Sequence, residues 1–172
     1  MATIFRFESH DPDRYRRKAR IISLSMSAQV IVLAVVFSQL LSLGLDGGLW
    51  RYLTGILLAL LATSLIFAIL LERPWMAEMR YAWELRQRLS QVRGYLPTLR
   101  QAIEENNPTA LEVLAFYHQG LEQLAALNGR TLDDDTERQA EKAVVRQRRE
   151  AHGMPPTVDG FDPEDLRAFK KS

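Results

Sequence analysis

The charges of this chain are segregated, and no other feature constrains its fold as much. Residues 21–71 hold two charged side chains, Asp46 and Arg51, in 51 positions, although the 172-residue chain carries 22 Lys+Arg and 21 Asp+Glu. From Ile21 to Leu45 run 25 uncharged residues, about 37 Å as a helix at roughly 1.5 Å per residue, and from Tyr52 to Leu71 run 20, about 30 Å. Either stretch is long enough to cross a bilayer. Soluble helices of such length keep a polar stripe, so a single soluble domain is not expected. Between the stretches lie only residues 46–51, a Gly-rich turn with no room for a domain, which predicts a transmembrane helical hairpin. The first stretch exceeds the apolar core of about 7–15 residues found in cleaved signal peptides, and it is expected to remain as an anchor.

Orientation follows from the basic residues near the span ends. Arg14, Arg16, Arg17, Lys18 and Arg20 precede the first stretch, Arg73, Arg80, Arg86 and Arg88 follow the second, and the turn has Arg51 alone. Both termini are therefore expected in the cytoplasm, with Trp50 and Tyr52 at the outer interface and Trp75 at the inner one. Lipid offers no hydrophobic drive for two helices to pair, so small residues should form their contact. Folding the chain about its turn sets Ser42 opposite Gly55, Ser38 opposite Ala59 and Ala34 opposite Thr63, all on one face of each helix.

Beyond the second stretch the pattern becomes heptad-like, the signature of a coiled-coil seam. Pro74 suits the first position of a helix, and Ala82, Leu85, Leu89, Val92, Leu96, Leu99 and Ile103 recur at alternating spacings of 3 and 4. Pro97 predicts a kink or break near Arg93 and Gly94. Asn107 suits an N-cap and Pro108 the first turn of the next helix, where Ala110, Leu114, Tyr117, Leu121 and Leu124 form a matching seam ended by Asn128 and Gly129. Two seams joined by a short turn predict an antiparallel helical hairpin over residues 74–130. The whole reads as all-α: a cytoplasmic segment 1–20, spans 21–45 and 52–71 about the turn 46–51, the cytoplasmic hairpin, and a charged helix and tail over 131–172.

The two chain ends carry weaker signals. Asp11-Pro12 predicts a helix start that feeds the first span, and Phe5 and Phe7 precede it with period two, open to either an interfacial or a docked position. Asp133-Asp134-Asp135 predicts the start of a helix running to about Ala151, whose apolar stripe is thin: Ala140, Ala143, Val144 and Ala151. Docking and projection are both compatible with it. Asp162-Pro163-Glu164 predicts a further short helix bearing Leu166 and Phe169, either a docking peptide or a frayed end.

Chemistry-bearing motifs are scarce. The absence of cysteine excludes a disulfide scaffold, a Cys-based zinc site and a thiol enzyme, and a formal charge of +1 argues against a nucleic-acid binder. There is no glycine-rich phosphate loop, Gly-x-Ser-x-Gly, His-Glu-x-x-His or EF-hand loop. His118 with Glu122 one turn later could form an acid/base or metal pair, but a polar residue at the edge of a packed hairpin explains it more simply. The three aspartates could attract a divalent cation, but a helix start explains them. Tyr81, Trp83, Phe116 and Tyr117 read as packing or interfacial residues rather than a base-stacking platform. No cofactor, no metal and no enzymatic activity are expected.

The stretches Asp11-Pro12-Asp13-Arg14-Tyr15-Arg16, Pro74-Trp75-Met76-Ala77-Glu78-Met79-Arg80-Tyr81-Ala82-Trp83 and Leu114-Ala115-Phe116-Tyr117-His118-Gln119-Gly120-Leu121 resemble an uncharacterised family of bacterial two-span inner-membrane proteins, over most of the chain up to about Leu132. The resemblance implies a bacterial inner-membrane location and no functional residue. The expected function is a membrane-anchored interaction protein, a scaffold or adaptor whose partners are the lipid bilayer and a further protein, with homo-oligomerisation open. The alternative is a small accessory subunit held to a larger membrane complex, such as a transporter, through its spans. Exchanging the spans for an unrelated two-span anchor separates the two, because only an accessory subunit needs these particular spans.

Overall fold

The computed structural model describes residues 4–42, 48–132 and 135–170. Leu43 to Leu45 of the expected first span, Asp46 and Gly47 of the turn, and Asp133 and Asp134 lie outside the described residues. The fold is all-α apart from one short antiparallel bridge. In chain order the elements are β1 (Phe5–Arg6), α1 (Pro12–Leu41), α2 (Gly48–Leu71), a 3-10 turn at Pro74–Met76, α3 (Ala77–Arg93), α4 (Leu96–Glu104), α5 (Pro108–Leu127), α6 (Thr136–Ala151), β2 (Gly160–Phe161) and a 3-10 segment at Pro163–Phe169. They group into two compact units, residues 13–80 and residues 1–12 with 81–172.

In the first unit, α1 starts at Pro12, where proline's missing N–H costs nothing, and runs unbroken for 30 residues. It stops at Leu41, where the Ser42 hydroxyl donates to the Gln39 carbonyl at 2.6 Å. The 24-residue α2 starts at Gly48, four residues ahead of Tyr52. Both helices are long and apolar enough to cross a membrane, and only 6% of the most apolar stretch of α1 and 17% of that of α2 is buried. A core helix of a soluble protein would be mostly buried. Here Ile31 and Leu65 remain 66% and 64% exposed.

The small residues occupy the contact between α1 and α2 in a different register from the one expected. Ser38, Gly55, Ala59 and Thr63 are buried, Ala34 is half-buried and Ser42 is exposed. Gly55 lies against Ser38 rather than Ser42: a Cβ on Gly55 would stand 3.0 Å from the Ser38 nitrogen and 3.2 Å from its Cα. The pairing is one helical turn earlier in α1. The physical reason is backbone approach: Gly55 has no Cβ, so the Ser38 backbone can come directly against it, and that contact sets the register. In the same unit Glu78 accepts from Lys18 at 2.9 Å and pairs with Arg14 at 3.2 Å, so part of the basic cluster is engaged within the chain.

In the second unit, Pro97 breaks the helix rather than kinking it. Gly94 and Tyr95 form a turn in which the Tyr95 N–H donates to the Val92 carbonyl at 2.9 Å, and α4 resumes with proline in its first turn. Asn107 caps α5, its side chain accepting from the Ala110 N–H at 3.2 Å, and Gly129, at φ 68°, follows the Asn128 C-cap. The central helix is α5, against which α4, α6 and β2 all pack. Leu111, Val113, Leu114, Phe116, His118, Gly120 and Leu127 are buried around it. The expected seam describes one of its faces only. Leu85, Leu89, Val92, Leu99, Ile103 and Leu114 are buried, whereas Leu96, Tyr117, Leu121 and Leu124 are half-buried. A heptad reading assumes a single partner face, and a helix with several neighbours buries residues outside it. α3 comes against α5 at Gly120, where a Cβ would stand 2.9 Å from Leu89 Cδ2 and 3.2 Å from Leu85 Cδ1.

The two chain ends meet on this unit. β1 and β2 pair antiparallel, with Phe5 opposite Phe161 and Arg6 opposite Gly160, and a side chain on Gly160 would collide with the Phe5 carbonyl. Phe161 stacks on Phe116 at 4.6 Å, and Phe5 lies 5.4 Å from Tyr81 and 5.8 Å from Phe116. Leu166 and Phe169 are buried, so the tail docks, with Asp162 accepting from the Glu164 N–H at 2.9 Å at the start of its 3-10 segment.

Candidate functional site

A concavity of the second unit lies between α5, α6 and the segment that follows α6. It has a volume of about 300 Å³ and is formed by Ala115, His118 and Gln119 of α5, Val145 and Arg149 of α6, and Pro156 and Thr157, with Glu122, Lys142 and Arg146 also lining it.

α6 is positioned by its first turn. Asp135 caps it by accepting from the Arg138 N–H at 3.0 Å, and this bond with the Arg138 side chain holds the carboxyl below its usual range. The helix then turns Val145 and Arg149 inward, one turn apart, while Ala140, Ala143, Val144 and Ala151 are exposed. The expected alanine stripe is thus not the docking face. An arginine stem covers more apolar surface than an alanine methyl, provided its head finds acceptors, and here it does.

Those acceptors are backbone carbonyls. Arg149 is 1% exposed; its Nε and Nη2 donate to the Pro155 carbonyl at 3.2 and 2.8 Å, and Nη2 also reaches the Thr157 carbonyl at 3.5 Å. Among the described residues Nη1 has no hydrogen-bond partner and no carboxylate forms an ion pair with Arg149. Burial pushes the guanidinium pKa down, with Glu112 the opposing influence.

His118 is 2% exposed, and neither ring nitrogen makes a hydrogen bond. Glu122 pairs with Lys142, so the acid/base couple that the spacing allowed is not assembled, and the expected place at the edge of the packed helices is corrected too: α6 covers the ring, which lies inside. Glu141 is the carboxylate nearest the ring, with Oε2 at 3.5 Å from Nε2, but Arg100 grips both its oxygens, Nε to Oε1 at 2.6 Å and Nη2 to Oε2 at 3.1 Å. Burial lowers the imidazole pKa, with Glu141 and Glu122 opposing the shift.

Two glutamines that the sequence reading passed over hold the chain ends to α5. Gln119 donates from Nε2 to the Val158 carbonyl at 3.1 Å and accepts from the Val158 N–H at 3.2 Å, as a paired strand would. One turn on, Gln123 Nε2 donates to the Glu8 carbonyl at 2.6 Å, the Tyr81 hydroxyl donates to Gln123 Oε1 at 2.7 Å, and the Glu8 N–H donates to that hydroxyl at 3.1 Å. Their i, i+4 spacing sets them on one face of α5, and in sequence that spacing alone points to them. Tyr81 and Phe116 belong to the core, and Trp83 is 60% exposed. Leu96, Tyr117 and Leu121 line a second cleft with Arg100 and Arg138. Among the described residues no group of three His, Asp or Glu side chains is placed to hold a metal ion.

The chain matches no curated protein and no solved structure. A family model described as "Protein of unknown function (DUF3087)" matches residues 5–166, nearly the whole length, and the chain belongs to that family.

Proposed function

We propose that this protein is a non-catalytic, membrane-anchored interaction protein of the bacterial inner membrane, in which α1 and α2 form a transmembrane hairpin and the second unit is a cytoplasmic docking module for a protein partner. The observation that carries this reading is the joint folding of the chain ends. β1, ahead of α1, pairs with β2, far beyond α2, which supports one compartment for the two flanks of the apolar helices. A single span or three would separate them; two spans do not. The lipid-like exposure of α1 and α2 supports the same reading, and the excess of arginine and lysine on the flanks over the lone Arg51 supports a cytoplasmic side for both. The module is then tethered at the bilayer, where search for a membrane-bound partner is confined to two dimensions.

Reporter fusions test the topology. A reporter active only in the cytoplasm should work at Met1 and at Ser172, and one active only outside should work when inserted at Gly47. Membrane sheets washed at high pH should retain the protein. A chain recovered in the soluble fraction, or a periplasmic carboxyl terminus, overturns the reading.

A further inference from the structure

The cleft between α5 and α6 holds two buried polar side chains with hydrogen-bonding capacity that the protein leaves unused. Buried polar atoms are nearly always paired, so such groups call for a partner. Arg149 is a permanent cation whose bonds go only to neutral carbonyls, and a buried charge without a counter-charge is costly. His118 lines the same cleft with neither ring nitrogen hydrogen-bonded, and Glu141, 3.5 Å from its Nε2, has its charge met by Arg100.

We infer that this cleft binds a small monocarboxylate with an apolar body, the carboxylate facing Arg149 and His118 and the hydrocarbon part lying against Ala115, Val145 and Pro156. The size argues for a compact ligand, since about 300 Å³ is at the lower end of small-molecule sites. The charge argues for one negative charge rather than two. Of the cations lining the cleft, Lys142 pairs with Glu122 and Arg146 with Glu150, which among the described residues leaves the single charge of Arg149 to be matched. Arg149 also borders a smaller space of about 200 Å³, but Glu112, Asp159 and Asp165 line that one and repel anions. The assignment does not depend on whether α1 and α2 cross a membrane.

The test uses the full chain in mild detergent, titrated calorimetrically with benzoate, inorganic phosphate and sodium chloride at matched ionic strength. Benzoate should bind saturably, and phosphate and chloride should not. Ala115→Leu, which fills the cleft without removing a polar group, should abolish the benzoate heat with an unchanged circular dichroism spectrum, and His118→Gln should weaken binding about tenfold. If Ala115→Leu loses helix, Val145→Met fills the same space and carries the readout. Phosphate binding equal to benzoate overturns the ligand class. Absence of saturable benzoate binding, or binding that survives the cleft-filling variants, overturns the site.

Discussion

His118 links protonation to folding. Its folded pKa is lowered, chiefly by burial, from the 6.5 of an unperturbed imidazole, and the charged groups acting on it are Glu141 and Glu122 in one sense and Lys142 and Arg138 in the other. A lowered pKa means that the unfolded chain binds the proton first as pH falls. The stability it contributes is therefore complete above about pH 6.5, declines below that as the unfolded state protonates, and stops declining once pH drops under the folded pKa. Denaturant titrations between pH 7.5 and 5 should show the wild-type chain losing more stability than His118→Asn, since groups common to both cancel in the difference. Parallel profiles for the two proteins would mean that the ring is protonated equally in both states. The same residue shows why a lone histidine is hard to read: sequence places it on a helix, while its burial depends on α6, whose docking face is set by Val145 and Arg149.

Among elements, the contact between α1 and α2 is the one whose register the structure changes. Helix packing of this kind is governed by where backbones can approach, and Gly55 admits Ser38 because it has no Cβ. With Gly55 against Ser38, Ala34 comes opposite Ala59 one turn farther along, provided the two helices continue antiparallel. Copper-catalysed oxidation of membranes carrying Ala34→Cys with Ala59→Cys should give more intrachain disulfide than Ser38→Cys with Ala59→Cys. A higher yield for the second pair would restore the register read from the charge-free runs. At the other end of the chain, β1 and β2 are two residues each and have no stability of their own. They persist because Gln119 and Gln123 satisfy the backbone beside them and because Phe5 and Phe161 fill the space over Phe116.

For the whole molecule, the two units divide the work of solvation. Residues 13–80 leave apolar side chains outward, whereas the second unit buries its own around α5. Leu89 is 4% exposed and lies against Gly120, so Leu89→Asp buries a carboxylate in an apolar contact. That costs several kcal/mol, about the total stability of a small domain at roughly 5 kcal/mol. The variant should lose the helical signal of α3 to α6, and, if the proposed role is right, any partner bound through that unit, while α1 and α2 keep it in the membrane fraction. Normal helicity and an unchanged partner set in Leu89→Asp would remove the basis for the docking module.

Local chemistry was legible without the structure. The Asp-Pro and Asn-Pro starts at Pro12, Pro108 and Pro163, the break at Pro97 and the stop at Asn128-Gly129 each depend on a few adjacent residues, because a cap satisfies N–H or C=O groups within one turn. The segregated apolar block likewise announced two long helices, since length and composition alone determine whether a helix needs water on one face. Tertiary structure alone decided the rest. The pairing of Phe5 with Phe161 joins residues at opposite ends of the chain, and neither strand carries a periodic pattern long enough to show. The face α6 presents was hidden because an arginine packed through its stem looks, in sequence, like a solvated charge. The partly exposed Tyr117 and Leu121, and the buried Gly120 between Gln119 and Leu121, follow from how many neighbours surround α5, and a helix records its own period but not the number of its partners.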